Sequence, residues 1–359
     1  MFRPPPRASG YLHTGYGEDL GLLQTRTERA SLALFVVALA GFPFLASPFA
    51  LDLACQVYLA SIGALSLMLL TGYAGQISLG HAGLIAAGAF TTGILAREIA
   101  APFWITLPAS ALSGIVLGFI FGLPSLRLRG LYLAVSTLAL HFVVIYLGGE
   151  YETKRGFSTG IVIEPPSLAG IKLGGRGWYF VLLLAAIASL LICINLLRSR
   201  SGRAWRAIQV RETVAEALGI SIARYKLLAF VISSSMTSVA GCLFAYYRGF
   251  VSVEAFDLFV SIQYVAMIII GGMGSLLGAL LGAMFVTVFP YLIEALLRLL
   301  PNAQKLAGDI FAVNYAAFGV VMILFLIFEP LGLVGIWRRL QSYFLLWPFR
   351  YKPLAGARK

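Results

Sequence analysis

Charge is what this sequence has least of. Only 12% of its 359 residues are charged, whereas 60% are hydrophobic and the mean hydropathy is +0.89. A soluble domain of this length could not cover its surface with so few charges, so lipid must be the solvent for most of it. The composition therefore argues against a soluble globular protein.

Motifs of catalysis are also lacking. The sequence contains no GxxxxGK[ST] phosphate loop, no HExxH, no GxSxG and no paired-cysteine motif. Its three cysteines, Cys55, Cys193 and Cys242, each lie inside an apolar run, which favours small core residues over a disulfide framework or a metal site. No series of carboxylates lies within the apolar runs, which argues against a proton-driven pump. We therefore expect a chain that is not an enzyme and that holds no cofactor or metal of its own.

What the sequence has instead is a series of long apolar runs. A helix needs about 20 mostly apolar residues to cross a bilayer, and the runs are continuous, without the alternation of a barrel strand. They lie at 31–49, 53–71, 82–100, 103–123, 131–148, 178–197, 227–247, 258–272, 276–299 and 314–334. We predict an all-α polytopic membrane protein with about ten transmembrane helices, a transmembrane domain at 31–337, an N-terminal segment at 1–30 and a basic, aromatic tail at 338–359.

The positive charges predict the orientation. If the N-terminus is cytoplasmic, nineteen of the 27 Lys and Arg fall on the cytoplasmic side, as the positive-inside rule requires. Both termini and the segment 198–226 are then cytoplasmic, and the segment 149–177 is the main loop on the other side. Ten spans give the same parity. The net charge of +12 is thus explained by cytoplasmic loops, without nucleic acid as a partner.

The segment 198–226 is the most informative part of the chain. It carries seven Lys or Arg and two Glu, has helical spacing, and contains no apolar run long enough to span. A polar helical loop of this length in a polytopic protein indicates contact with a soluble partner. A basic helix lying on anionic lipid is the alternative interpretation.

Glycines form two kinds of pattern. Gly114, Gly118 and Gly122 recur every fourth residue, as do Gly274, Gly278 and Gly282, which predicts helix faces that neighbouring helices approach closely, either as fixed seams or as seams that slide. Elsewhere glycines interrupt apolar runs, together with polar residues at 71–83 and as a cluster at 271–274. Irregular backbone at membrane depth must be buried in protein or line a water-filled cavity, so the two interruptions indicate either broken-helix gates or simple tight turns.

The chain resembles a known family in three stretches. GYAGQISLGHAGLIAAGAF at 72–90, LRLRGLYLAVSTLAL at 126–140, and the run 201–292, which includes GRAWRAIQVRETVAEALGISIARYKLLAFVISS, are similar to branched-chain amino acid ABC transporter permeases of the LivM type. The resemblance covers roughly 51–337. It implies the ABC importer permease fold, a multi-pass protein of the bacterial inner membrane, and alternating access.

The same resemblance implies partners. They are a second, related permease, two ABC ATPases that bind ATP and Mg, and a periplasmic binding protein that touches the loops 149–177 and 248–257. The segment that couples to the ATPases is expected within 211–219, although Thr213-Val214-Ala215 stands where the family motif has Glu-Ala-Ala. Ala215, Ala217 and Leu218 would form an apolar ridge and the charged residues its rim. The coupling candidates are Arg206, Arg211, Ala215, Glu216, Ala217, Leu218 and Gly219.

An apolar amino acid needs a route lined by small and weakly polar residues. The candidates, for which hydrogen bonding within the core is the alternative role, are Gly72, Gly75, Gln76, Ser78, Gly80, His81, Ser136, Thr137, Gln263, Tyr264, Gly271, Gly272 and Gly274. Branched-chain or other hydrophobic amino acids are the expected substrates, with urea, amides or another small solute as the alternative. A stand-alone channel is disfavoured by the basic loop, and a membrane-embedded enzyme by the lack of catalytic groups.

Overall fold

Long helices make up almost all of the structure, a computed structural model. It describes residues 26–298 and 310–346, except 127, 129, 158–159, 165–166, 169–170 and 173. Most of the predicted segment 1–30, and the tail beyond residue 346, lie outside the described residues. Within these, the prediction of a helical membrane protein is confirmed, with only short strands added.

The first half of the chain forms six long helices and three short strands. The helices are α1 (Arg26–Leu45), α2 (Pro48–Leu67, continued by a π-helical turn at Met68–Tyr73), α3 (His81–Glu98), α4 (Phe103–Ser125), α5 (Leu131–Arg155) and α6 (Gly175–Arg198). The strands between α5 and α6 are β1 (Ile161–Val162), β2 (Ser167–Leu168) and β3 (Ile171–Lys172).

The second half begins with two short polar helices and continues with long ones. They are α7 (Arg200–Val210), α8 (Glu212–Ala217), α9 (Ile222–Arg248), α10 (Leu258–Gly271), α11 (Leu276–Arg298), α12 (Ile310–Phe328) and α13 (Gly332–Leu346). Strand β4 (Phe250–Val251) and a 3₁₀ turn (Val253–Phe256) connect α9 to α10.

The predicted count of ten spans is not confirmed. Among the described residues, seven helices are long and apolar enough to cross a membrane, and α12 with α13, bent by 52°, adds an eighth if the pair is one span. The apolar part of α1, Ala33–Leu45, is shorter, and α3 does not meet the same criterion. The reason is composition: α3 is made largely of Ala and Gly and has charged residues at its last turn.

The helices run between two opposite faces. Strand β1, just after α5, pairs antiparallel with β4, just after α9, with Ile161 opposite Val251. This end of the molecule, which also holds the 3₁₀ turn, is called the sheet face. The other end holds α7, α8 and the turn 272–275, and is called the basic face. Helix α9 therefore runs from the basic face to the sheet face, and α10 runs back.

Helix α3 lies at the centre of the bundle, packed against α4, α5 and α9. Small residues allow the helix axes to approach closely. A Cβ atom added to Gly88 would lie 1.9 Å from the carbonyl oxygen of Ser238, and one added to Gly241 would lie 2.0 Å from that of Ile85. Ser110 of α4 donates to the Ser238 carbonyl at 2.8 Å, so three helices meet at this point.

The first predicted glycine seam is confirmed. Gly114 and Gly118 of α4 face Ser234 of α9: a Cβ added to Gly114 would lie 2.5 Å from the Ser234 carbonyl oxygen, and one added to Gly118 would lie 2.9 Å from the Ser234 Cβ. In the second set, Gly278 and Gly282 lie on α11 and pack against the backbone of α10. Gly274 lies outside that helix, in the turn before it, where φ is +79°. The three cysteines are buried and unpaired, as expected.

We predict that Gly88→Ala lowers the thermal unfolding midpoint of the detergent-purified protein. The added methyl would overlap the Ser238 carbonyl, and overpacking of this kind typically costs about 1–3 kcal/mol. Gly319→Ala in α12 is the matched control, because a Cβ there meets nothing within 4 Å. Its midpoint should equal or exceed that of the wild type, since Ala favours the helix over Gly. Equal midpoints for the two variants would contradict the close α3–α9 contact.

Candidate functional site

The chain between α2 and α3 is irregular although it lies inside the bundle. Helix α2 widens into the π-helical turn Met68–Tyr73, and Ala74–Gly80 then follows without regular structure. π-helical turns of this kind often occur at functional sites. Backbone groups freed by such an interruption cannot be left unpaired in a lipid-embedded protein. The interruption 68–80 is therefore the first place to look for function.

Side chains from other helices supply the missing backbone partners. The Leu79 N–H donates to Thr137 Oγ1 of α5 at 2.9 Å, and the Ala82 N–H donates to Ser261 Oγ of α10 at 2.9 Å. Both hydroxyls are fully buried. Thr137, a predicted pathway residue, thus has the core hydrogen-bonding role that was its alternative. Ser136, its neighbour, is half-buried and belongs to neither cavity described below.

Three side chains at 76–81, two in the interruption and one at the start of α3, carry buried polar atoms without a hydrogen-bond partner among the described residues. They are Gln76 Oε1, Ser78 Oγ and His81 Nε2, and each residue is at most 2% exposed. Buried polar atoms in native proteins are nearly always satisfied by protein or water. Their burial fits the first of the two expected surroundings, protein rather than a water-filled cavity. Whether the segment is a gate or a tight turn stays a prediction.

The second interruption meets the first. Between α10 and α11 the chain turns at 272–275, with φ of +114° at Gly272 and +79° at Gly274. The Gly274 N–H points at the sulfur of Met68 at 3.2 Å. A Cβ on Gly72 would lie 3.1 Å from the Gly274 nitrogen, so the two glycine turns are in contact. The similar sequence spacing of the two turns therefore corresponds to a shared position in space.

Helices α7 and α8 form a compact platform on the basic face. Trp205 of α7 is fully buried and donates its indole N–H to the Tyr225 carbonyl at the start of α9, at 2.8 Å. Ile208 is also buried on the inner side of α7. The basic segment is therefore packed on the bundle through its own apolar side, and its polar side is left facing outward.

This platform is fastened to the interruption. Gln209 of α7 donates its side-chain amide to the Gly72 carbonyl at 2.6 Å. Arg206, one turn earlier, stacks over the ring of Tyr73, with its guanidinium carbon 5.7 Å from the ring centroid. A rigid displacement of α7 would thus be transmitted directly to the π-helical turn.

A second connection runs through Lys226. The Gln76 side-chain amide donates to the Lys226 carbonyl at 2.9 Å. The Lys226 ammonium, on a side chain only 9% exposed, pairs with Glu212 of α8 at 2.5 Å. Helix α8, the start of α9 and the interruption are therefore joined through charged and amide groups. Nothing in the spacing of the sequence singled out Gln209 or Lys226 for these contacts.

The exposed side of α8 is partly apolar. Val214 is 51% exposed, Leu218 is 73% exposed, and Ala217 lies beside them, whereas Thr213 and Glu216 form the adjoining polar side. The other exposed coupling candidates are Arg206, Arg211 and Gly219. At Gly219 φ is +80°, a conformation that favours glycine after a helix.

Ala215 is placed differently from the sequence-based expectation. It is only 1% exposed, so it packs beneath α8 and cannot contribute its side chain to an outward ridge. The reason is helical phase: residue 215 points toward the bundle, about 100° from Val214. Val214, which the family resemblance marked only as a departure from the motif, takes the exposed apolar position.

Two cavities open toward opposite faces. The sheet-face cavity, about 480 Å³, lies among α2, α9, α10 and α11, and two of the predicted pathway residues, Gln263 and Tyr264, line it. The basic-face cavity, about 540 Å³, is lined by Tyr73, Arg206, Gln209, Val210, Gly272, Met273, Gly274, Ser275, Leu331, Val334 and Arg338.

A layer of packed side chains separates the cavities. On α10 the sheet-face cavity ends at Met267 and the basic-face cavity begins at Gly272, which corresponds to about 8 Å along the helix at 1.5 Å per residue. Ile268 and Ile270 between them are fully buried, as is Met68 on α2. The described structure is therefore closed between the two cavities.

The predicted pathway residues fall into separate groups. Gly272 and Gly274 line the basic-face cavity, Gly72 packs in the contact between the two turns, and Gly271 packs against the backbone of α11 at Gly278. Gln76, Ser78, Gly80 and His81 line neither cavity. Gly80 packs on Thr137, and Gly75 packs on Gln209. His81 connects to the sheet-face cavity through Tyr264, whose ring centroid is 4.8 Å from its own.

The loops at the sheet face are also brought together. Pairing of β1 with β4 joins the predicted loops 149–177 and 248–257. A shallow pocket between them is lined by residues that include Glu152, Thr153, Ser252 and Glu254. The sequence-based expectation that a single partner touches both loops is compatible with this arrangement and remains a prediction.

Comparison with known proteins identifies relatives over most of the chain. Residues 49–327 match the family described as branched-chain amino acid transport system / permease component. The chain is 33% identical over 332 residues to the high-affinity branched-chain amino acid transport system permease protein LivM of Salmonella typhimurium, covering 86% of this chain and 75% of the relative, and it matches LivM of Escherichia coli equally well.

A more distant relative carries a different name. The chain is 26% identical over 196 residues to the autoinducer 2 import system permease protein LsrC of an Enterobacter species, covering 51% of this chain and 54% of that protein. No solved structure matches the chain.

We predict that Glu212→Gln destabilises the protein more than Lys226→Met does. Removing Glu212 leaves the nearly buried Lys226 ammonium without its carboxylate partner, whereas removing Lys226 leaves Glu212, whose side chain is 28% exposed, partly hydrated. Leaving a buried charge unpaired typically costs about 3–5 kcal/mol, and partial exposure reduces that cost. Thermal unfolding of the two variants in detergent measures the difference. The reverse order would contradict the burial of Lys226.

Proposed function

Because the chain belongs to the branched-chain amino acid transport permease family, we propose that it forms half of the membrane pathway of an ATP-driven importer for branched-chain or other hydrophobic amino acids. The main support for this proposal is the direct contact between the α7–α8 platform and the interruption 68–80, made by the Gln209 hydrogen bond and the Arg206 stacking. A second, related permease would complete the pathway. Two partner ATPases would bind ATP and Mg, and a periplasmic binding protein would deliver substrate.

The platform has the features that an ATPase-docking surface needs. Val214, Ala217 and Leu218 offer exposed apolar contact area, and Arg211 and Glu216 lie around it as a polar rim. Behind this surface the Gln209 amide holds the Gly72 carbonyl at 2.6 Å. A movement imposed on α8 by ATP binding in a partner would therefore reach the interruption without an intervening flexible segment.

Alternating access is supported by the two cavities. One opens to the sheet face and one to the basic face, and the packed layer around Met68, Ile268 and Ile270 lies between them. Movement of the π-helical turn would displace Met68, because it belongs to that turn. In the proposed cycle this opens the layer toward the basic face as the sheet-face cavity closes.

The proposed orientation places the basic face in the cytoplasm of a bacterial inner membrane. The platform with its Lys and Arg then lies inside, as the positive-inside rule requires, and both termini are cytoplasmic. The sheet face, with the joined loops, faces the binding protein.

A second solute class has one specific observation in its favour. The match to an autoinducer 2 import permease means that relatives of this chain are named for a solute other than an amino acid. The same machinery carrying another small organic solute is therefore the alternative. A stand-alone channel is less well supported, because a passive pore does not need a platform fastened to its interrupted helix.

We predict that Leu218→Glu releases the ATPases during purification in mild detergent. The substitution places a charge at the centre of the exposed apolar side of α8, where docking would leave it buried and unpaired. Thr213→Glu is the matched control, because it adds the same charge on the polar side of the same helix. Co-purification with the candidate ATPases should fall sharply for Leu218→Glu and persist for Thr213→Glu.

Two outcomes would contradict the proposal. If the Leu218→Glu variant retained the ATPases, α8 would not be their docking surface. If the wild-type chain purified alone and passed solute in liposomes without ATP, the protein would be a channel and not an importer subunit.

A further inference from the structure

The sheet-face cavity has the size and walls of a small-ligand site. Its volume of about 480 Å³ falls within the range of about 300–1,000 Å³ typical of ligand pockets. Most of the wall is apolar and is contributed by residues such as Leu59, Ala60, Ile85, Val260, Met267 and Val286. The polar groups are fewer and come from four helices, which is the pattern of a site that orients a mainly apolar ligand.

One polar group is a cation. Arg248, in the last turn of α9, lines the cavity, and its guanidinium carbon lies 5.9 Å from the ring centroid of Phe244, which lines it as well. A guanidinium has only donors, and a carboxylate matches its two-pronged geometry. The cavity is therefore suited to a ligand that carries a carboxylate. The simpler role for Arg248 is to interact with the carboxyl end of its own helix.

A polar group on α2 provides acceptors. Gln56 lines the cavity and donates its amide N–H to Asp52 at 2.7 Å, so its carbonyl oxygen is left as the acceptor. That oxygen already accepts a hydrogen bond from the Tyr291 hydroxyl at 3.4 Å, and its second lone pair can accept from a ligand. Asp52, one helical turn away, also accepts from the Tyr247 hydroxyl. Asp52 does not itself line the cavity, so the acceptor offered to a ligand is the Gln56 oxygen, which can accept from an ammonium group.

The inner end of the cavity leads to the interruption. Tyr264 lines the cavity and packs against Gly63, where an added Cβ would lie 2.5 Å from an atom of the tyrosine ring. The same ring contacts His81, the first residue of α3, with the two ring centroids 4.8 Å apart. A ligand in the cavity would therefore contact Tyr264, which in turn contacts His81 directly after the interruption.

We propose that the sheet-face cavity binds a zwitterionic amino acid with an apolar side chain, its carboxylate at Arg248, its ammonium at Gln56 and its side chain against the apolar wall. The inference rests on the proposed function and deepens it, because it locates the substrate and its two charged contacts within this chain. Lipid or a side chain of the partner permease are the other occupants that the experiment separates from it.

The first experiment fills the cavity. Thr287→Trp adds bulk to its wall, and Ile262→Trp adds the same ring on α10 outside the lining. The full complex is reconstituted in liposomes with its binding protein and ATP, and leucine uptake is measured beside ATP hydrolysis. We expect uptake to fall about tenfold or more for Thr287→Trp, because pocket contacts of single groups carry factors of that order. Ile262→Trp should retain both uptake and ATP hydrolysis.

The second experiment tests the carboxylate contact without relying on a filled cavity. Thr287→Cys is made in a chain whose three native cysteines are replaced by alanine, and its modification by a charged thiol reagent is timed in the reconstituted complex. Leucine should slow the modification, and leucinamide, which lacks the carboxylate, should protect about tenfold less well. Arg248→Gln should remove this difference, and Arg248→Lys should largely restore it. A role in capping the helix alone would leave the difference between the two ligands unchanged.

The outcomes distinguish a failure of the proposed transport function from a failure of the proposed binding site. If the wild-type complex takes up no amino acid, the proposed function fails and this inference fails with it. If the wild type transports leucine but Thr287→Trp does so equally well, and leucine gives no protection, the cavity is occupied by lipid or by the partner permease, and only this inference is overturned.

Discussion

Unpaired backbone groups are not tolerated in lipid, and this constraint organises the structure around one short segment. The interruption 68–80 breaks a helix inside the bundle, so its amides and carbonyls need partners from elsewhere. Thr137, Ser261 and Gln209 supply them from α5, α10 and α7. Each of these bonds also fixes the position of a helix. The same contacts that make the interruption possible therefore connect it to the platform on one face and to the α10 segment below the cavity on the other.

Close packing of glycine-containing helices is the second half of this arrangement. Gly80 and Gly83 allow α3 to lie against the backbone of α5, and Gly88 allows it to cross α9. Helix α3 is thereby buried at the centre with little space for independent movement. A displacement of the interruption would therefore shift α3 as a unit. His81, at the start of α3, would then move against Tyr264, which lines the sheet-face cavity.

Much of the fold could be predicted from the sequence. Continuous apolar runs identified the long helices, four-residue glycine spacing identified the seam between α4 and α9, and the glycine-rich stretches identified both interruptions. The count of spans could not be confirmed, because α3 is buried by protein and so does not need the hydropathy of a lipid-facing helix. The short strands at the sheet face could not be predicted either, because a strand of two residues has no periodic pattern in the sequence.

The site was predictable in outline only. The position of the coupling segment followed from its charge and from the family resemblance, but the burial of Ala215 depends on how α8 is rotated against the bundle. Gln209, Lys226 and Arg248 act through contacts with residues far away in the sequence, and no local pattern encodes such pairs. For Thr137 the sequence left two roles open, pathway lining and core hydrogen bonding. The structure shows its hydroxyl bonded to the Leu79 N–H, a contact that no local pattern encodes.

In the proposed cycle the platform and the interruption move as one body. A Cβ atom on Gly75 would lie 3.8 Å from the Cβ of Gln209, within the range of about 3.5–4.5 Å that a disulfide requires. The most direct measurement is ATP-driven leucine uptake by the reconstituted complex carrying Gly75→Cys and Gln209→Cys, with the native cysteines replaced, compared before and after oxidation of the same sample. We expect uptake after oxidation to equal or exceed uptake before it, because the disulfide replaces the connection that the Gln209 amide makes to the Gly72 carbonyl in the wild type. Loss of uptake on oxidation, recovered with a reductant, would show that the two parts must slide past each other and would contradict their movement as one body.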